Sequence, residues 1–195
     1  RLSNQIVDIL CRVQHETIDP FITRYFRNPD AVPQQEVVKF GNCHLKFFVE
    51  LLLRFCNVPT RIQVTTDMVT PDFVGSEFVA KMVIGPTSIS RVVHLDKIGE
   101  KAQLTKIEMD ETSSGYLLFY YKYCRPKPEG RYVFQSNQGS RWTKASRDLK
   151  QYLQKYGIRC EKLCPNGRFI HSSRSIGIAV FAALCNFDIS RIRNY

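Results

Sequence analysis

Residues Gly41 to Arg61, GNCHLKFFVELLLRFCNVPTR, decide how the rest of the chain is read. Leu45, Phe48, Leu51, Leu52 and Phe55 recur at three- and four-residue spacing, the pattern of a helix that turns one apolar stripe to a core. Asn57 and Pro59 supply the stop signals expected just beyond such a helix. Gly41 and Asn42 make a small turn ahead of it, so Cys43 is expected in the first helical turn. There, unpaired backbone N–H groups and the helix dipole favour a thiolate. A cysteine ahead of an apolar helix is also an ordinary packing residue.

On the N-terminal side, Leu2, Ile6, Ile9, Leu10 and Val13, then Phe21, Ile22, Tyr25 and Phe26, predict two short helices, the second with Pro20 in its first turn. Asn28-Pro29-Asp30 and Pro33 form a loop. After the central helix the period changes to that of strands, at Thr60 to Thr66, Phe78 to Ile84, Arg91 to Ile98 and Ala102 to Met109. The fold class expected is α+β: N-terminal helices and a central helix packed on a mostly antiparallel sheet, over residues 1–110. Residues 111–195 form a basic, aromatic-rich α/β extension of the same unit.

Cys43, His94 and Asp110 follow one another as helix start, strand and end of the next strand. If those two strands pair, His94 and Asp110 stand side by side with Cys43 presented to them. Thiol catalysis needs these types: an imidazole to take the proton and a carboxylate to orient it. Gly41-Asn42-Cys43, the helix with Arg54, the exit Val58-Pro59-Thr60-Arg61, then His94 and Asp110, resemble the transglutaminase-like (papain-like) cysteine hydrolase superfamily. The resemblance implies Cys43 as nucleophile, His94 as general base and acid, and Asp110 as its orienter. The function it implies is acyl transfer or hydrolysis on a protein amide or isopeptide, with no cofactor. The aromatic common after that family's catalytic histidine is replaced by Leu95-Asp96.

The charge points elsewhere. Residues 1–110 carry 13 Lys/Arg against 13 Asp/Glu, and residues 111–195 carry 15 against 5, so all of the net +10 lies in the second part. Gly115 to Tyr123, GYLLFYYKY, reads as an aromatic strand, with Arg131 to Gln135 as its return across a basic loop. Thr143 or Ser146 is expected to cap a helix ending near Tyr156 at Gly157. Arg125, Lys127, Arg131, Arg141, Lys144, Arg147, Lys150 and Lys155 are the candidate anion-binding residues, for RNA, DNA or an acidic protein partner within a larger assembly. The alternative function is therefore a non-catalytic interaction protein.

Seven cysteines at irregular spacing read as reduced thiols of an intracellular protein, cytoplasmic or nuclear. Cys124, Cys160, Cys164 and His171 lack the spacing of a zinc site, so no metal is expected. No apolar run approaches the ~18 residues of a membrane span.

Overall fold

The structure is a computed structural model and describes residues 2–55, 62–66, 68, 87–93, 103–109 and 111–159. Ile6, Ile9, Leu10 and Val13 lie on one face of helix α1 (Leu2–Val13) and are buried. A π-helical turn, Gln14–Ile18, carries the chain directly into α2 (Asp19–Arg27). The widened turn has a local cause: Pro20 has no N–H to give the carbonyl one α-turn back, so the regular ladder is broken there. Gln14 and Asp19, on either side of this turn, both reach the Tyr116 hydroxyl, Gln14 Nε2 donating to it at 2.9 Å and the hydroxyl donating to Asp19.

After a short 3₁₀ turn at Pro29–Ala31, one helical run extends from Gln34 to Phe55. It consists of α3 (Gln34–Phe40), a π-helical turn Gly41–Leu45, and α4 (Lys46–Phe55). Cys43 is therefore in the middle of a helix, and the N-terminal position expected for it is not found. Inside α4, Arg54 donates to Glu50 across one turn, both fully buried. Burial pushes the Glu50 carboxyl up, and Arg54 opposes that shift. Arg54 is thus tied to a structural ion pair.

Ile62–Thr66 forms a short helix, α5, where a strand was expected. Strands β1 (Thr87–Val93) and β2 (Gln103–Met109) pair antiparallel as a two-stranded hairpin. The remaining expectation of strands fails at Gly115 to Tyr123. Those residues belong to α6 (Glu111–Phe119) and the π-helical turn Tyr120–Cys124 that continues it. The aromatic run is helical because Leu117, Phe119, Tyr120 and Cys124 point into a helical core, and packing there outweighs β-propensity. Arg131 to Gln135 forms no strand and carries isolated bridges at Tyr132 and Gln135, the latter with Arg141. The α+β layering of helices on an antiparallel sheet is accordingly wrong: the described fold is predominantly helical, and its core is built between helices.

That core joins both parts of the chain. α4 packs on α1 and α6, and α3 packs on the π turn after α6. Buried residues from Ile6 through Phe48 and from Leu117 through Leu153 form one cluster. The last described helix, α7 (Ala145–Lys155), buries Leu149, Tyr152 and Leu153. Lys144 occupies its N-cap position with no side-chain cap, so neither Thr143 nor Ser146 plays that part. Gly157, at φ 86°, ends it as expected: Gly157 N–H donates to Gln154 O at 3.0 Å and Ile158 N–H to Leu153 O at 3.2 Å, the paired bonds of a left-handed glycine cap.

Two of the three widened turns meet at Gly41 and Cys124. A Cβ at Gly41 would lie 2.3 Å from the Cys124 Cβ, so only glycine allows the approach. Gly41→Ala gains about 1 kcal/mol of helix propensity but overpacks this crossing, at a cost of about 1–3 kcal/mol or more. The clash should win: urea unfolding is expected to show a destabilised protein, with part of the loss recovered in Gly41→Ala/Cys124→Gly.

Candidate anion-binding site

The loop between α6 and α7 is built around two side chains. Arg125 is buried and turned inward: Nε donates to Tyr121 O at 3.0 Å, Nη1 to Gly130 O and Tyr132 O at 3.1 Å each, and Nη2 to Pro128 O. Its guanidinium also lies 3.9 Å from the Tyr121 ring centroid. Five donors in a planar fork suit such a cage. Arg125 is therefore a structural residue, and its place among the anion-binding candidates is corrected.

Gln135 is the second organiser. Its side-chain amide exchanges bonds with Lys127, Oε1 accepting from the backbone N–H at 3.0 Å and Nε2 donating to the carbonyl at 2.8 Å. Its own N–H donates to the Tyr120 hydroxyl at 3.2 Å. Beyond it, Ser136 and Ser140 close a tight turn, with Ser136 N–H donating to Ser140 O at 2.7 Å. Gly139, at φ 78°, lets the aliphatic stem of Lys127 pass over it.

The Gln135 carbonyl accepts 2.9 Å from Lys46 Nζ, which brings the central helix under this turn. Lys46 is only 2% exposed. Its ammonium also donates to Asn42 Oδ1 at 3.4 Å and sits 4.6 Å from the Trp142 ring centroid. Trp142 is itself fixed: Phe47 stands edge-on at 5.4 Å, and its indole N–H donates to Asp148 Oδ2 at 2.9 Å. Arg147 donates to the other Asp148 oxygen from Nε at 3.3 Å and Nη2 at 3.2 Å. Between these groups lies a pocket of about 330 Å³, lined by Lys46, Arg141, Lys144 and Arg147 and by polar residues of the Ser136–Thr143 stretch, with Asp148 its one carboxylate.

Of the candidates named from sequence, Arg141, Lys144 and Arg147 converge on this pocket. Lys127, Arg131 and Lys155 are exposed, and Lys150 is half-buried on α7. Cys43 is exposed, on the run that carries Lys46. His94 and Asp110 lie outside the described residues, as do Cys160, Cys164, His171, the Val58–Arg61 exit and the expected 78–84 strand. The hairpin register pairs Thr87 with Met109 and Val93 with Gln103. Val93 and Met109 thus stand at opposite ends of the ladder, about 20 Å apart at ~3.3 Å per residue.

The sequence reading missed Lys46, Trp142 and Asp148. A lysine inside an otherwise apolar run, four residues after an asparagine, was the available signal for the first. No protein-family model, curated protein or solved structure matches this chain. No helix among the described residues is long and apolar enough to cross a membrane.

Burial takes Lys46 below the ordinary lysine range to about 8, with Asp148 and Cys43 opposing the shift. Between that value and the unfolded lysine's ordinary one, unfolding takes up a proton, so stability rises with pH there; below pH 8 the full penalty, about 3 kcal/mol, applies. Relative to the native protein, Lys46→Met should therefore be favoured at pH 7 and lose about 3 kcal/mol of that advantage at strongly alkaline pH. Paired urea titrations at the two pH values measure it, and a gap independent of pH would rule out a buried ammonium. For Arg125, truncation to Ala should cost about 2–4 kcal/mol, with no rescue by Lys, because a lysine lacks the planar fork.

Proposed function

We propose that this chain binds nucleic acid through its phosphate backbone, using the surface formed by the α6–α7 loop and α7. The observation that carries this is the concentration of cations around a polar pocket. Residues 122–155 contain nine Lys/Arg and only Glu129 and Asp148 as acids, and Asp148 is already engaged by Trp142 and Arg147. Neutralising phosphates with exposed lysines and arginines releases counterions, the main drive of such association.

The aromatic residues refine the reading. Single-strand binders stack bases on exposed rings. Here Phe119, Tyr120, Phe134, Trp142 and Tyr152 are all buried. With these rings turned inward and Tyr132 and Tyr156 only part-exposed, we favour recognition by charge along a regular backbone, as in a duplex, over base stacking. An acidic protein would answer the same charge less specifically. Thiol acyl transfer through Cys43 has less behind it, since a mid-helix cysteine lacks the free N–H groups that would activate it.

Fluorescence anisotropy with a labelled DNA duplex, its RNA counterpart and a single strand, each across a salt series, tests the proposal. Tightest binding to a duplex, falling steeply with salt, is expected. Lys144→Gln/Arg147→Gln should lower the salt slope by about 2, one for each lost phosphate contact. Salt-independent binding, or wild-type affinity in the double variant, would overturn it, and preference for an acidic polypeptide would redirect the surface to protein partners.

A further inference from the structure

A buried ammonium is ordinarily paired with a carboxylate. Lys46 is 2% exposed, yet its contacts are the Gln135 carbonyl, the Asn42 amide oxygen and the rings of Trp142 and Phe47. Among the described residues, no carboxylate lies within ion-pair distance of it. The nearest acid by influence, Asp148, is held by the indole N–H and by Arg147. Among the described residues the counter-charge of Lys46 is thus missing, and the lysine lines a pocket whose other charged walls are mostly cationic.

We propose that the pocket takes a sugar-linked phosphate, with Lys46 binding the phosphoryl oxygens from the inner wall. The chemistry fits on three counts. The phosphate supplies the absent anion. Arg147 and Lys144 stand on the outer side as further donors, and the hydroxyls of Ser136, Ser140 and Thr143 line the same space. The volume, about 330 Å³, equals roughly ten waters at ~30 Å³ each, room for a phosphate and an attached sugar. The inference rests on the nucleic-acid reading for its ligand: one backbone phosphate seated deeper than the rest. A free sugar phosphate offers the same chemistry.

Trp142 is the chain's single tryptophan and shares the pocket with Lys46, so its fluorescence and its one indole N–H resonance report on the site directly. The full chain is titrated with thymidine 5′-monophosphate, with thymidine, and with the DNA duplex. Lys46→Met, expected to fold at least as stably as the native protein, is carried in parallel, and so is Lys144→Gln/Arg147→Gln. Saturable change at Trp142 with the monophosphate and the duplex, none with thymidine, and an affinity at least about tenfold weaker in Lys46→Met would bear out the pocket. Duplex binding by anisotropy with Trp142 unperturbed, or with Lys46→Met equal to wild type, would overturn the pocket and leave the surface reading standing. A response to the monophosphate without duplex binding would keep the pocket, assign it to a free phosphorylated sugar, and overturn the nucleic-acid reading. Silence to both ligands would overturn both.

Discussion

The contact between Gly41 and Cys124 is the constraint on which the described architecture depends. It is where the central helical run and the helix of the second part come close enough that a single methyl group would collide. From that point the chain after Cys124 leaves directly over the central helix, so the α6–α7 loop is set down on Lys46 only a little more than one turn beyond the crossing. Tyr120, on the same widened turn as Cys124, holds the Gln135 N–H with its hydroxyl. Backbone contact, loop path and lysine partner therefore form one chain of consequence.

The lysine opposes stability at the position where the proposed ligand would meet it. Its neighbours compensate it incompletely: one carbonyl, one long amide contact and two aromatic faces. Cation–π contacts of this kind contribute roughly 0.5–2 kcal/mol, less than the cost of holding the ammonium away from water. Arg125 shows the opposite solution. Four backbone carbonyls surround its guanidinium, and its charge stabilises the loop it is buried in. Two basic residues in one neighbourhood thus differ in role because one is saturated with acceptors and the other is not.

Where the sequence could be read, the signal was periodic and local. The helical stripe at Leu45, Phe48 and Leu51, the two N-terminal helices, the apolar face of α7 and its glycine stop all follow from spacing and from glycine's tolerance of positive φ. The strand at Ala102 to Met109 was legible in the same way. The aromatic run GYLLFYYKY was not, because β-propensity reflects packing on a pleated surface and here the available surface is helical. Arg141, Lys144 and Arg147 were visible as cations, but nothing in their spacing tells that Arg125 is caged. Lys46 escaped notice because it interrupts an apolar run, and only tertiary structure says whether such a residue reaches water or stays inside.

The three widened turns carry a further consequence. Each holds one residue more than an α-helical turn and absorbs it there; wound into an unbroken α-helix, that residue would rotate everything beyond it by about 100° around the helix axis. The turn at Gly41–Leu45 separates two buried positions, Phe40 and Leu45, by five residues instead of three or four. Were the same residues wound as an unbroken α-helix, α4 would present a different edge, and Lys46 would no longer lie beneath Trp142. The position of that charge is thus encoded in helical phase: a one-residue deletion in this turn would restore an ordinary α-turn and leave Lys46 on the same face, whereas the same deletion in the regular winding of α3 would turn α4 by about 100° relative to the start of the run.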